Sequence, residues 1–349
     1  MQTRDNSVDI LKAIAIFFVL MIHTLASGIE IFQINTVNWY STIFWGSFVR
    51  CAVPLFFMCS GALLLNPKKE ITIKKLYTKN IPRIIIALFF WASAYEAFSI
   101  LIAISNGTFY MSMIKEAIKR ILLFDHHFQL YFLHIMIIVY MFLPATRVLC
   151  KHLDIKTYKY ILVIWSIVTV IYPFIIMIPV FQSIKGVPRQ WILNFTYGAI
   201  GYTMLGDYMN RYSSKKPKFY TLVFLSGVLI TIIGMIYFSN YAPRYRLILW
   251  DGASPTVLMM AYGLYGFIKH SPKLVNNLKF TSFSSNISKA SFCIFLIHDF
   301  FNIIFRAINI TINNNAFFMI PAMSILNMLL SFIVYLILRR IPVVKTYLI

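Results

Sequence analysis

Apolar runs of membrane-spanning length recur along the chain, near residues 8–29, 43–65, 82–104, 130–150, 159–180, 190–209, 218–238, 253–268, 287–309 and 317–338. A spanning helix needs about 20 mostly apolar residues. The pattern therefore predicts an all-α integral membrane protein, a polytopic bundle of about ten transmembrane helices forming one domain over 1–349. The eighth run is short and opens at Pro255, which makes it the weakest of the ten. Few ionisable residues interrupt the runs. Among those that do, Lys12 and His23 lie in the first, Arg50 in the second, Glu96 in the third and His298 in the ninth.

Lys12 and His23 are eleven residues apart. At ~100° per residue that is ~1100°, within about 20° of three full turns, so both side chains leave one stripe of one helix about 16 Å apart along its axis. Asp9 lies about 40° off the same stripe. Charges within a span are expensive and usually face the bundle interior or a pathway. The stripe is therefore the first candidate for a functional site.

Composition sharpens the class. Hydrophobic residues make up 60% of the chain and charged residues 12%, and mean hydropathy is +0.75. That balance excludes an ordinary soluble domain. The net charge of +21 is dispersed in short clusters between apolar runs, which is a topology signal rather than a nucleic-acid surface. With both termini placed in the cytoplasm, about 23 Lys and Arg fall on the cytoplasmic side and 9 outside, the latter being Arg50, Lys115, Lys119, Arg120, Lys185, Arg189, Arg244, Arg246 and Arg306. The positive-inside rule thus favours N-in, C-in in a cytoplasmic membrane. The first run is too long for the apolar core of a signal peptide and has no small-residue cleavage site behind it, so no cleavable leader is expected. Cys51, Cys59, Cys150 and Cys293 fall in or beside apolar runs without a CxxC, and read as small embedded hydrophobes. In the outer connection 105–129, Met111, Ile114, Ala117, Ile118 and Ile121 recur at helical spacing among Lys115, Glu116, Lys119 and Arg120, predicting an interfacial helix.

Several stretches, in order, resemble membrane acyltransferase family 3. Asp9-Ile10-Leu11-Lys12 followed by His23 is similar to its opening signature of a basic residue ahead of a histidine. Arg50-Cys51-Ala52-Val53-Pro54-Leu55-Phe56-Phe57 with Ser60-Gly61 resembles its second-helix pattern. Gln129-Leu130-Tyr131-Phe132-Leu133, Tyr197-Gly198 to Gly201-Tyr202, and Ser288 to Ile297-His298 resemble its later helices. Gln129 and Tyr131 depart from the His and Trp often found there, and the usual Arg-x-x-Arg is reduced to Arg83 with Lys79 displaced. The resemblance implies a bacterial inner-membrane enzyme, without an appended secreted domain, that moves an acetyl group from acetyl-CoA to a hydroxyl of a surface polysaccharide or lipid-linked sugar, as in O-antigen modification.

The residues then take expected roles. Acyl transfer to a hydroxyl needs a base for its proton and donors for the charge that develops on the carbonyl oxygen. His23 suits the base, because imidazole titrates near neutral pH, or it is a covalent acyl carrier. Arg50 lies too deep for an ordinary topology charge; its planar guanidinium suits an oxyanion, or a structural pair with Glu96. Lys12, with Arg83 and Lys79, is expected to hold the phosphates of acetyl-CoA. Asp9, Glu96, Gln129, Tyr131 and His298 are candidates for the acceptor side, Asp9 alternatively pairing with Lys12 three residues on. Ser60 and Gly61 read as a place of close helix approach rather than a nucleophile. Asp125-His126-His127 is not read as a metal site, and no metal is expected in the reaction. The competing class is a polysaccharide exporter or flippase-associated protein that uses the charged stripe as a path. A proton-coupled carrier is weaker, because no paired broken helices recur in two halves.

Overall fold

The computed structural model describes residues 5–178, 181, 191–243 and 247–349. Arg4, Lys185, Arg189, Arg244 and Arg246 of the charge count lie outside the described residues, as do positions 179, 180 and 190 of two predicted spans. Every regular element among the described residues is helical. Among the described residues, eight stretches are long and apolar enough to cross a membrane: Asn6–Ile31, Val37–Leu64, Ile73–Ser105, Phe128–His152, Ile155–Met177, Pro217–Tyr241, Leu278–Ala307 and Ala316–Leu338. The other two of the ten expected spans are also helices, Phe195–Tyr212 and Pro255–Lys269. The first is diluted by glycines, tyrosines, Asp207 and Arg211. The second has 15 residues, about 22 Å of helix against a hydrocarbon core of about 30 Å.

We number the main helices α1 (Asn6–Leu25), α2 (Val37–Val49), α3 (Ala52–Leu64), α4 (Ile81–Ser105), α5 (Ser112–Leu122), α6 (Tyr131–His152), α7 (Ile155–Ser166), α8 (Phe195–Tyr212), α9 (Pro217–Tyr241), α10 (Pro255–Lys269), α11 (Leu278–Ala307), α12 (Ala316–Leu338) and α13 (Pro342–Tyr347). The chain divides into two compact units, Met1–Lys69 with Ala145–Phe332, and Glu70–Pro144 with Ile333–Ile349.

In the first unit α1 packs against α2, α3, α10 and α11. Asp5 opens it as N-cap, its carboxylate accepting from the N–H groups of Ser7 (3.0 Å) and Val8 (3.4 Å), which satisfies donors that have no partner within the helix. Asn277 caps α11 in the same way through Phe280 N at 3.0 Å. The two helices run parallel, because Asp9 meets Ser288 and, further along both, His23 meets His298.

Glycines permit two close helix approaches in this unit. A Cβ on Gly61 of α3 would lie 1.8 Å from the Thr203 carbonyl oxygen of α8, and one on Gly206 would lie 2.0 Å from the Met58 carbonyl oxygen. The α3–α8 contact is thus backbone against backbone, the small-residue packing that membrane helices use. Gly263 does the same for α9 and α10, its Cβ position lying 2.6 Å from Phe224 N.

The second predicted span is interrupted in its middle. Helix α2 ends at Val49 and α3 starts at Ala52, with Arg50 and Cys51 in a turn between them. Pro54 is the cause. It lacks the N–H that would bond the Arg50 carbonyl four residues back, and its ring crowds that carbonyl. The ladder resumes with Leu55 N to Cys51 O at 3.0 Å.

In the second unit α4 follows a π-helical turn at Leu76–Asn80 and carries Pro82 in its first turn. Helix α5 is the amphipathic helix anticipated in 105–129: Ala117 is buried, while Ile114, Ile118 and Leu122 are exposed together with Lys115 and Lys119. Helix α13 packs on α4, where Trp91 donates to the Leu348 carbonyl at 3.0 Å.

Candidate functional site

The α1 stripe meets partners from the far end of the chain. Asp9, 6% exposed, accepts a 2.7 Å hydrogen bond from the Ser288 hydroxyl of α11. Among the described residues no ion pair joins Asp9 to Lys12; Ser288 occupies the carboxylate instead. Lys12 is partly exposed.

Three turns further, the His23 ring lies 5.0 Å, centroid to centroid, from the ring of His298, their planes at 35°. His298 is fully buried, and its Nδ1 lies 2.7 Å from the Phe295 carbonyl oxygen. Only a protonated nitrogen can donate there, so in its neutral form this imidazole carries its proton on Nδ1 and offers Nε2 as the basic atom.

A buried network holds this pair from α12, a helix whose other faces are almost wholly apolar. Ser324, Asn327 and Ser331 follow one another at three and four residues, and all are fully buried. Asn327 Nδ2 donates to the His298 carbonyl and to Asn302 Oδ1, each at 2.9 Å. Its own Oδ1 accepts from Ser331 at 3.1 Å. Asn302 Nδ2 donates to Asp299 at 3.0 Å, and Ser324 donates to Thr24, the neighbour of His23, at 3.2 Å. The backbone of His298 and the helix turn bearing His23 are therefore both fixed by hydrogen bonds to α12. Replacing Asn327 by leucine keeps the volume and removes two donors. Interhelical hydrogen bonds in membranes are worth about 0.6 kcal/mol each and up to about 1.7, so a stability loss of about 1–3 kcal/mol is expected, read as a lower Tm in detergent. Unchanged melting would show that this network holds nothing.

Beside His23 lies a cavity of about 100 Å³, bounded also by Ser27, Asn302, Arg306, Thr311 and Asn313. His298, Asn302 and Arg306 recur every fourth residue along α11, and so occupy one face of that helix.

Arg50 occupies a separate setting. Its guanidinium stacks over the Trp250 ring at 4.6 Å, a favourable place for a cation in a medium of low polarity. Trp250 is fixed in turn by an indole N–H donated to Ser47 at 3.2 Å and by Gly46, whose missing side chain makes room for the ring. Phe48 at the end of α2 meets Phe18 of α1 edge-on at 5.7 Å, which ties the Arg50 turn to the helix that carries His23.

The remaining candidates lie in the second unit. Glu96 is held by Arg120 of α5 through two hydrogen bonds of 2.8 and 2.6 Å, so its carboxylate serves Arg120 and not Arg50. Gln129 is fully buried and hydrogen-bonded to His127, which stacks on Tyr95 at 4.2 Å. His126 turns instead to the Ile121 carbonyl and stacks on His134, so the adjacent histidines diverge. Tyr131 is 46% exposed. Arg83 donates to the Ile349 main-chain oxygen, and Lys79 is exposed on the π-helical turn.

Sequence reasoning missed Asn302, Asp299, Asn327 and Trp250. It also missed a buried cluster in which Tyr158 donates to Asp207 at 3.0 Å and Arg211 bridges Asp207 to the Cys150 carbonyl. Two signals were present: the 324, 327, 331 polar stripe in an apolar helix, and the 298, 302, 306 spacing.

A family model described as an acyltransferase domain matches residues 5–336. The chain belongs to membrane acyltransferase family 3. Neither the curated proteins nor the solved structures compared with it gave a match. The chain is thus a multi-pass membrane acyltransferase. The match runs through both His23 and His298, so the paired imidazoles lie within the acyltransferase domain itself.

Proposed function

We propose that this acyltransferase is an O-acetyltransferase of the bacterial cytoplasmic membrane, with both termini in the cytoplasm. It takes acetyl groups from cytoplasmic acetyl-CoA and passes them to a hydroxyl of a surface polysaccharide or lipid-linked sugar. The observation that carries this reading is the His23–His298 imidazole pair beside a cavity of mixed polar and apolar lining inside a bundle of membrane helices. His23 takes the proton from the acceptor hydroxyl as its oxygen bonds the acetyl carbon. The thioester C–S bond breaks, and the proton returns to the CoA thiolate as it leaves. Arg50, held over Trp250, supplies positive charge for the oxyanion. Lys12, at the opposite end of α1, supports acetyl-CoA binding through its phosphates.

The test is release of free CoA from acetyl-CoA by the purified protein in lipid, with and without lipid-linked glycan. Release that depends on glycan is expected. Lys12→Ala is expected to raise the KM for acetyl-CoA several-fold with kcat nearly unchanged, as loss of a uniform binding interaction does. Glycan that is exported or flipped without any CoA release would remove the enzyme reading.

A further inference from the structure

We propose that the cavity beside His23 is the acceptor subsite and that it selects an anionic sugar, one bearing a phosphate or carboxylate near the hydroxyl to be acylated. The inference rests on the acyl-transfer reading above and adds the chemical class of the acceptor.

Three features of the cavity point to it. The first is Asn302, 4% exposed and bordering the cavity. An asparagine amide offers two N–H donors and one acceptor oxygen. Here the oxygen is taken by Asn327 and one N–H by Asp299. The second N–H remains for a ligand, on a side chain whose orientation is fixed from both ends.

The second feature is Arg306, one turn beyond Asn302 at the edge of the same cavity. Its side chain is exposed, and among the described residues no acid pairs with it. A guanidinium presents a planar fork that fits a phosphate or carboxylate with two parallel hydrogen bonds.

The third is the balance of the lining. Among the described residues no carboxylate borders the cavity; its polar members are His23, Arg306 and the neutral Thr24, Ser27, Asn302, Thr311 and Asn313, beside the apolar Ile31, Ile310, Ile312 and Met323. Its volume of about 100 Å³ corresponds to roughly three waters at ~30 Å³ each. That admits a hydroxyl-bearing substituent and leaves the ring and its charged group at the Arg306 edge.

A binding measurement separates this from turnover. Protein in lipid nanodiscs, without acetyl-CoA, is treated with diethyl pyrocarbonate, and modification of His23 is followed by peptide mass spectrometry. Glucose 1-phosphate, methyl glucuronide and neutral methyl glucoside are compared as protectants. A charged sugar at ten times its Kd is expected to slow modification roughly tenfold, while the neutral glucoside has little effect. Which charged sugar protects better distinguishes phosphate from carboxylate. Arg306→Gln is expected to abolish the protection and Arg306→Lys to keep part of it; Arg306 is exposed, so neither change should unfold the protein. Equal protection by the neutral sugar, full protection surviving in Arg306→Gln, or no protection by any of the three overturns the proposal. Charge-blind protection together with glycan-dependent CoA release would leave the acyltransferase standing and remove only the anionic acceptor. Charge-selective protection without CoA release would leave an anionic-sugar site beside His23 and overturn its assignment as the acyl acceptor subsite.

Discussion

His23→Ala is expected to lower glycan-dependent acetyl transfer by about 10²–10⁴-fold, the usual contribution of a positioned general base, or about 3–5 kcal/mol of transition-state stabilisation. The loss should fall on kcat, because the proposed base acts when the hydroxyl proton moves and contributes little to holding the acetyl-CoA that Lys12 is proposed to bind. Folding should survive. His23 is only partly buried and already borders a cavity, whereas the hydrogen bonds that pin this region run through Thr24, Ser324, Asn327 and Asn302. His23→Gln keeps the polarity and much of the volume, and is expected to be nearly as inactive, because an amide does not accept a proton near neutral pH. Single-turnover measurement in nanodiscs, beside the gel-filtration profile of each variant, gives the answer. Transfer at the wild-type rate in a well-folded His23→Ala protein would remove His23 from the reaction.

The stripe that led to this prediction was legible because its information is local. Helical period alone places Lys12 and His23 on one line, and the price of burying charge in a membrane makes that line a candidate site. The same local logic found the amphipathic α5, but it ran the second span unbroken through 43–65 and passed over Pro54, which acts on a carbonyl only four residues away and interrupts the helix at Arg50. Partners at long range were out of reach. Nothing in the sequence near Asp9 says that Ser288 will meet it, and nothing near Glu96 says that the chain will turn back so that Arg120 takes its carboxylate. The alternative of Arg50 as a structural mate for Glu96 failed for that reason, and Arg50 lies over an aromatic face, that of Trp250. The count of about ten spans was drawn from hydropathy. Helices α8 and α10 fall short of that measure because glycines and Asp207 fit one for packing and 15 residues limit the other. The network around Asn327 was overlooked because a few serines and an asparagine barely change the hydropathy of a helix, although their spacing brings them to one face.

Gly61→Ala and Gly206→Ala are expected to be the most damaging single-methyl changes in the first unit, each lowering stability by about 3 kcal/mol or more. Overpacking a well-filled interior usually destabilises by about 1–3 kcal/mol, because side chains can shift to relieve it. Here the new Cβ meets main chain, at 1.8 Å from Thr203 O or 2.0 Å from Met58 O, so relief requires α3 and α8 to separate along their length. Separation would also disturb the first residues after the Arg50 turn, since α3 begins at Ala52, and would loosen the α1–α3 contact beneath the site. Thermal unfolding in detergent should therefore show a Tm lowered by several degrees for either glycine variant, with acyl transfer falling in parallel. Gly107→Ala supplies the control. Gly107 has a positive φ of 68° and nothing within 4 Å of a Cβ, so its change should carry only the backbone term of about 1 kcal/mol. A Gly61→Ala protein that melts like the Gly107→Ala control would mean that α3 and α8 are not packed backbone to backbone, and that the small residues of the Ser60-Gly61 motif serve some purpose other than close approach.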